Sequence, residues 1–546
     1  MTKRIYFYSP SFDYDKSILV INTTPLYIDG HLQNHHQDLW KSIEWAKVQL
    51  HPRTQQQLIN DIDQLEIDIL CVSLYVWNHT QIMNAIKGIK SLVQREITVI
   101  AGGPSVNVYR DHSYLHRYPD IDFAVYAQGE EAFASILQVL NGTKKLGVFE
   151  TKNIAWRDKH NKFRIAEFEF IRKTSGSHYI EGRHILEQIV ADPDNKGFIF
   201  ELPYEASKGC PYDCVYCDWT SGLSHKVSRR KFAWEQELEL LGEMGILRLN
   251  FSDANFGIFK DDINIVRAMV RLKKERGFDF KINVVNFAKL HKKTAFEILE
   301  IMVEAEIIGR FYFGVQDIDP AVLELSQRPD VPWQEHKEYI DNFKLRHPDV
   351  NFYLELITGL PGQTRDSWER TLAETFPYSV ICYPWVLLPN SPASYDEECK
   401  QKLQIKVATG NLLSVMDHQN NYLGDVVVGT LSYTETDYAY FLLLNQLMFD
   451  PKLRRIIDLQ QFFKSIRNSK YLDQYLNKIQ KCFQNSAQIY DLTSEFLNLL
   501  ILEIKDWPVE TARILIWWKT GVKHPKIIDD DVALLKLTAD ANKYTI

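Results

Sequence analysis

The chain has 546 residues, 45% hydrophobic and 25% charged, with a formal net charge of -8. That length exceeds what one hydrophobic core can serve and points to about three or four domains, while Gly and Pro are too sparse for a fibrous or disordered chain. The acidic balance argues against a nucleic-acid partner and makes the basic run Arg229-Arg230-Lys231 a solvated face.

The first sixteen residues are broken by Asp13 and Asp15 and lack the apolar region of a secretion signal. No apolar run is long enough to span a bilayer, so a cytoplasmic protein without membrane attachment is expected. From Arg4 to about Leu140 short apolar runs alternate with helical patterns. Arg4 to Tyr8, Ile69 to Tyr75, Ile97 to Ala101 and Phe123 to Tyr126 read as strands, and 55–65, 80–93 and 132–140 as helices. This alternation predicts an α/β fold whose N-terminal unit (1–145) is a Rossmann-like doubly wound sheet. Ligands of such sheets sit beyond the carboxyl ends of the strands, where Ser73, Gly102-Gly103 and Gly129-Glu130 fall.

Residues 146–196 carry turn signals and read as a linker with a short hairpin. From 197 to 392 six strand candidates begin at Phe198, Leu247, Lys281, Phe311, Phe352 and Val380, with helical segments between them. They predict a partial (βα)6 barrel, whose active groups would gather at the strand ends. Residues 393–546 read as a C-terminal helical domain, with Trp517 and Trp518 in its core.

Cys210, Cys214 and Cys217 directly follow the first barrel strand in a CxxxCxxC loop. A cubane [4Fe-4S] cluster wants four thiolates, so three on one loop leave an iron open to another ligand. A zinc site would need a fourth ligand, for which His225 is the neighbour. The loop, Lys208-Gly209-Cys210-Pro211-Tyr212-Asp213-Cys214-Val215-Tyr216-Cys217-Asp218-Trp219, resembles that of the radical S-adenosylmethionine (SAM) superfamily. Further likenesses are Phe251-Ser252-Asp253-Ala254-Asn255, Phe313-Gly314-Val315-Gln316 with Arg328 after it, and Thr358-Gly359-Leu360-Pro361-Gly362.

The resemblance implies a SAM molecule chelated to the open iron and cleaved by an electron from the cluster to a 5'-deoxyadenosyl radical. It places Tyr216 near the adenine, and Asp253, Asn286 and Gln316 at strand ends facing SAM or substrate, with Arg328 beside them. The N-terminal unit resembles the cobalamin-binding domain that precedes many such barrels, through the order of Ser73, Gly102-Gly103 and Gln128-Gly129-Glu130. The lower-ligand motif DxHxxG is missing; Asp29-Gly30-His31 lacks the following glycine. Members of the group bind cobalamin without that histidine or keep the fold without the cofactor, so the resemblance leaves cobalamin open.

Two reactions fit such a chain. One is cobalamin-dependent methyl transfer to an unactivated carbon of a peptide or small natural product. The other is peptide epimerisation, for which the chain resembles the radical SAM epimerases of proteusin biosynthesis: the radical takes a Cα hydrogen, and a thiol returns one from the opposite face. Strand alternation could point Cys382 into the barrel mouth as that donor, whereas Cys399 follows the acidic run Asp396-Glu397-Glu398 and Cys482 lies in a helical pattern. Epimerisation is the main expectation, with a leader-bearing precursor peptide as substrate and an electron donor such as flavodoxin or ferredoxin as partner. A cluster-bearing scaffold that binds a leader peptide without chemistry is the non-enzymatic alternative, and failure to produce 5'-deoxyadenosine would mark it.

Overall fold

The computed structural model describes residues 2–500 and 503, apart from 12–16, 107, 109–110, 146–151, 159, 161, 170–175, 220–226, 231–233, 288, 291, 389, 409–424, 450–458 and 484–485. His225, Lys231, Trp517 and Trp518 therefore lie outside the described residues, as does nearly all of the chain beyond 500.

In the first half, the strands are β1 (Lys3–Tyr8), β2 (Ile18–Val20), β3 (Ile43–Gln49), β4 (Ile69–Ser73), β5 (Thr98–Gly102), β6 (Phe123–Val125), β7 (Ile154–Arg157) and β8 (Phe163–Ile165). All but β2 form one sheet in the order β3-β1-β4-β5-β6-β7-β8. The first five are parallel, and β7 and β8 add an antiparallel edge. The central strand β4, Ile-Leu-Cys-Val-Ser, is buried throughout, as a strand covered by helices on both faces must be. The chain places β3 on one side of β1 and then β4 on the other, so the sheet reverses direction there and opens a crevice at its carboxyl edge. The hairpin expected in the linker is β7–β8, which completes this sheet.

The barrel strands are β9 (Ile199–Tyr204), then, after the short pair β10 (Ser207–Lys208) and β11 (Ser228–Arg229), β12 (Arg248–Phe256), β13 (Lys281–Phe287), β14 (Arg310–Gln316), β15 (Asn351–Thr358) and β16 (Ser379–Pro384). They form two parallel sheets, β13-β12-β9-β2 and β14-β15-β16. The outer strand β2 comes from the N-terminal segment and pairs with β9 through Ile18↔Ile199, Leu19↔Phe200 and Val20↔Glu201. Apolar alternation sets the faces: Phe311, Phe313 and Val315 on β14 and Phe352, Leu354 and Leu356 on β15 are all buried toward the surrounding helices. Phe311 meets Phe343 of the helix Trp333–Arg346 edge-on at 5.7 Å, and Phe313 stacks on Phe296 of the helix Lys292–Glu304 at 5.1 Å.

The C-terminal part differs from the helical expectation. It opens with a three-stranded antiparallel sheet of β17 (Val386–Leu387), β18 (Lys406–Ala408) and β19 (Asp425–Gly429) before the helices Glu435–Phe449, Leu459–Arg467, Leu472–Gln480 and Ser486–Leu500. Strands of two to five residues carry almost no periodicity, and pairing alone defines them. The helical part docks on the barrel through buried Asn445, which accepts from Trp368 Nε1 (3.2 Å) and donates to Thr358 Oγ1 (2.7 Å), and through the Tyr433 hydroxyl, which donates to the Gly359 carbonyl (2.6 Å).

Gly103 follows β5 at a φ of +100°, and a Cβ there would stand 2.5 Å from the Leu74 carbonyl oxygen. Gly103→Ala is expected to cost about 2 kcal/mol of stability from the left-handed backbone and the clash, read as a lowered midpoint in chemical denaturation.

Candidate active site

The cysteine loop has little regular structure and is held by neighbours. After β9 the chain is gripped by Asp253, at the end of β12, whose buried carboxylate accepts from Ala206 N (2.9 Å), Ser207 N (2.6 Å) and Ser207 Oγ (2.5 Å). Burial pushes this carboxyl up to about 7 despite those donors. Asp253 therefore anchors the loop, both of its oxygens accepting from it. Further along, Val215 donates to the Ser326 carbonyl (3.1 Å) and accepts from Ala393 N (2.9 Å).

Each thiol receives one donor: Asn255 Nδ2 to Cys210 Sγ (3.2 Å), Lys289 Nζ to Cys214 Sγ (3.5 Å) and the Trp219 N–H to Cys217 Sγ (3.4 Å). Burial pushes the Cys217 thiol up to about 11, so a metal centre is what would draw off its proton at neutral pH. Elsewhere, His31, His36 and Glu131 bring ligand atoms within 4.8 Å of one another. Donors to cluster sulfurs tune reduction potential; the sequence pointed to Asn255 only as part of a likeness and gave no sign of Lys289.

Arg328 is buried and joins the loop to the barrel: it donates to the Tyr216 hydroxyl (3.0 Å), the Gly314 carbonyl and Asp330 Oδ2 (2.9 Å). Lys292 also pairs with Asp330, at 3.2 Å. Gln316 ends β14 at a φ of +68°, a conformation that non-glycine residues adopt at a cost and that recurs at functional sites. Its side chain lies over Gly314, where a Cβ would come within 2.6 Å of its Nε2. Asn286 is half-buried on β13 between Val285 and Phe287, which point into the helix-facing core.

Cys382 is paired with Leu356, and neighbours in a parallel ladder share a face. That face is packed against the helices, and Val380 and Cys382 both lie against its core. The lumenal neighbour is Tyr383, paired with Ile357. The expectation that Cys382 points into the barrel mouth is corrected on this ground; burial also pushes its thiol up to about 12. Cys399 is half-buried in the helix Glu397–Leu403, and Cys482 is buried in the core.

A cavity of about 380 Å³ joins the two α/β units. Its floor is the carboxyl edge of the N-terminal sheet, with Ser73, Gly102 and Gly103, and its opposite wall includes Lys208, Gly209 and Trp219 of the cysteine loop. The Ser73 hydroxyl is fully buried there without a hydrogen-bond partner, which a polar ligand would supply. Lys208 spans the junction, bonding Glu130 at 3.1 Å and lying 3.9 Å over the Tyr27 ring. Asp29 and His31 serve elsewhere: Asp29 accepts from the indoles of Trp40 and Trp45, and His31 bonds Glu131.

Replacing Asp253 with Asn would turn an amide donor toward backbone N–H groups and loosen the loop. Asp253→Asn is expected to lose about 1–3 kcal/mol of stability and to hold less iron after anaerobic reconstitution, measured by denaturation and iron assay.

Comparison with known proteins agrees with this geometry. Residues 204–374 match the radical SAM superfamily. The cobalamin-dependent radical SAM methyltransferase TokK of Streptomyces tokunonensis is 27% identical over 62% of this chain and 49% of its own length. The 2-(S-pantetheinyl)-carbapenam-3-carboxylate methyltransferase of Streptantibioticus cattleyicolor is 29% identical over 61% and 48%. The chain thus spans about half the length of these curated relatives. Among solved structures, the cobalamin-dependent SAM radical enzyme OxsB superposes with a TM-score of 0.61 at 13% identity, covering 100% of this chain and 85% of its own. The radical SAM methyltransferase TsrM of Kitasatospora setae gives 0.60 at 12% identity, covering 90% and 99%. The barrel segment 204–374 thus matches the radical SAM superfamily, and the unit ahead of it is similar in fold to the N-terminal region of cobalamin-dependent radical SAM enzymes.

Proposed function

We propose that the protein is a cobalamin-dependent radical SAM methyltransferase acting on an unactivated carbon of a peptide, including a precursor with a leader segment, or of a small natural product. The observation that carries this reading is the cavity running from the unpartnered Ser73 hydroxyl and the Gly102-Gly103 turn to the cysteine loop, which opens a ligand site between the sheet and the cysteines. The named activities of the two curated relatives, both methyltransferases, support it over epimerisation.

In this reading Cys210, Cys214 and Cys217 hold the [4Fe-4S] cluster, and Ser73, Gly102 and Gly103 line the cobalamin site. When bound, the cluster supplies the electron that cleaves SAM, and cobalamin supplies a methyl group. Asn255, Lys289 and the Trp219 N–H stabilise the thiolates, and Arg328 fixes Tyr216 against the end of β14. Gln316 and Asn286 offer amides to SAM or substrate. An electron carrier such as flavodoxin or ferredoxin would serve as reductant.

Anaerobically reconstituted protein given SAM, methylcobalamin and a low-potential reductant is expected to form 5'-deoxyadenosine, and Cys210→Ala to abolish it. Product mass is expected to rise by one methylene per event. Cys382→Ala is expected to retain this activity, since the thiol lies on the core face. A product that instead gains one solvent deuterium per residue, and loses it in Cys382→Ala, would return the reading to epimerisation.

A further inference from the structure

The lumenal face of β14, β15 and β16 is chemically unlike its helix-facing side. The outward residues of β14 and β15 are buried, whereas Tyr312, Gly314 and Gln316 on β14, Tyr353 and Glu355 on β15 and Tyr383 on β16 are all half-exposed. Solvent therefore reaches the inward positions. The Tyr312 and Tyr353 rings stack at 5.4 Å with an interplanar angle of 22°. Glu355 pairs in register with Gly314 on one side and Ile381 on the other.

Glu355 has no hydrogen-bond or ion-pair partner among the described residues, and neither do the hydroxyls of Tyr312, Tyr353 and Tyr383. Burial pushes the Glu355 carboxyl up, against the pull of Arg328, but Arg328 is already committed to Tyr216, Gly314 and Asp330. Gly314 leaves room beside Glu355 for the Gln316 amide, since a Cβ there would stand 2.6 Å from Gln316 Nε2 and 3.7 Å from Glu355 Oε2. The lumen is polarised: Lys289 lies at the cluster end with a thiol, and the lone carboxylate sits among tyrosine rings on β14–β16.

A half-buried carboxylate with no cation paired to it attracts one, and aromatic faces beside it attract the same partner. We infer that the lumen accepts a substrate bearing a protonated amine, which pairs with Glu355 while Tyr312, Tyr353 and Tyr383 close around it. The inference rests on the lumen being the substrate chamber of the proposed methyltransferase and names the substrate class it admits.

Ligand-observed NMR on the full chain with its reconstituted cluster tests this with phenethylamine and its uncharged counterpart 2-phenylethanol. Phenethylamine is expected to bind roughly tenfold more tightly, Glu355→Gln to remove that preference, and Tyr383→Leu to weaken amine binding several-fold. Equal binding of amine and alcohol, or a preference that survives Glu355→Gln, overturns the inference; should that variant not fold, Tyr383→Leu and the parent's own preference decide it. Cleavage of SAM by the parent is measured separately, so a chain that cleaves SAM without preferring the amine loses only this inference, and one that prefers the amine but transfers no methyl group loses the proposed reaction.

Discussion

Three thiols on one irregular loop must face a common centre, and a loop cannot enforce that by itself. The constraint is met from outside. Asp253 of β12 fixes the loop's entry through three hydrogen bonds, Asn255 two residues later reaches Cys210, and Ser326 of the barrel and Ala393 beyond it pin Val215. One strand thus both anchors the loop and supplies a donor to its first sulfur, because β12 runs on past the barrel rim to Phe256. Residues in contact with such a centre are precise only when their own supports are rigid.

The second level of organisation is the junction of the two α/β units. Lys208 sits two residues before Cys210, yet besides Glu205 it meets Glu130 and Tyr27 of the N-terminal part. Asn390, beyond the last long barrel strand, donates to the Pro104 carbonyl at 2.7 Å, next to the Gly102-Gly103 turn. These contacts set the cavity walls, so the distance between the floor at Ser73 and the cysteine loop is determined by packing across the junction. A buried, paired charge such as Lys208–Glu130 favours one arrangement over others even where its net stabilisation is small.

Much of the fold was legible because apolar residues recur along the barrel strands: the six expected from sequence match β9 and β12–β16 to within a few residues. The strand β3 was missed because Ile-Glu-Trp-Ala-Lys-Val-Gln mixes polar and apolar residues without clean alternation, and β2 because three residues carry no period. The cysteine triad was legible since its chemistry depends on local spacing. Roles that depend on a face were not. Alternation says that Cys382 and Tyr383 point opposite ways but not which way, and only the register with Leu356 and Ile357 decides it. The loop-anchoring contacts of Asp253 were not legible, because its partners stand more than forty positions away. Lys289 and Glu355 carry no motif at all.

The strand β2 has an architectural consequence. It leaves the N-terminal unit to complete the edge of the barrel's first sheet, so the seam between the halves does not follow the order of the sequence. Excising the barrel at the 146–196 segment would strip β9 of its outer neighbour and leave unpaired backbone ready to bond with another molecule. The same tether opposes any large swing of the N-terminal unit away from the barrel, since such a swing would have to unzip a ladder. Any opening that admits cofactor or substrate is therefore better served by local movement of loops at the rim than by a hinge between the halves.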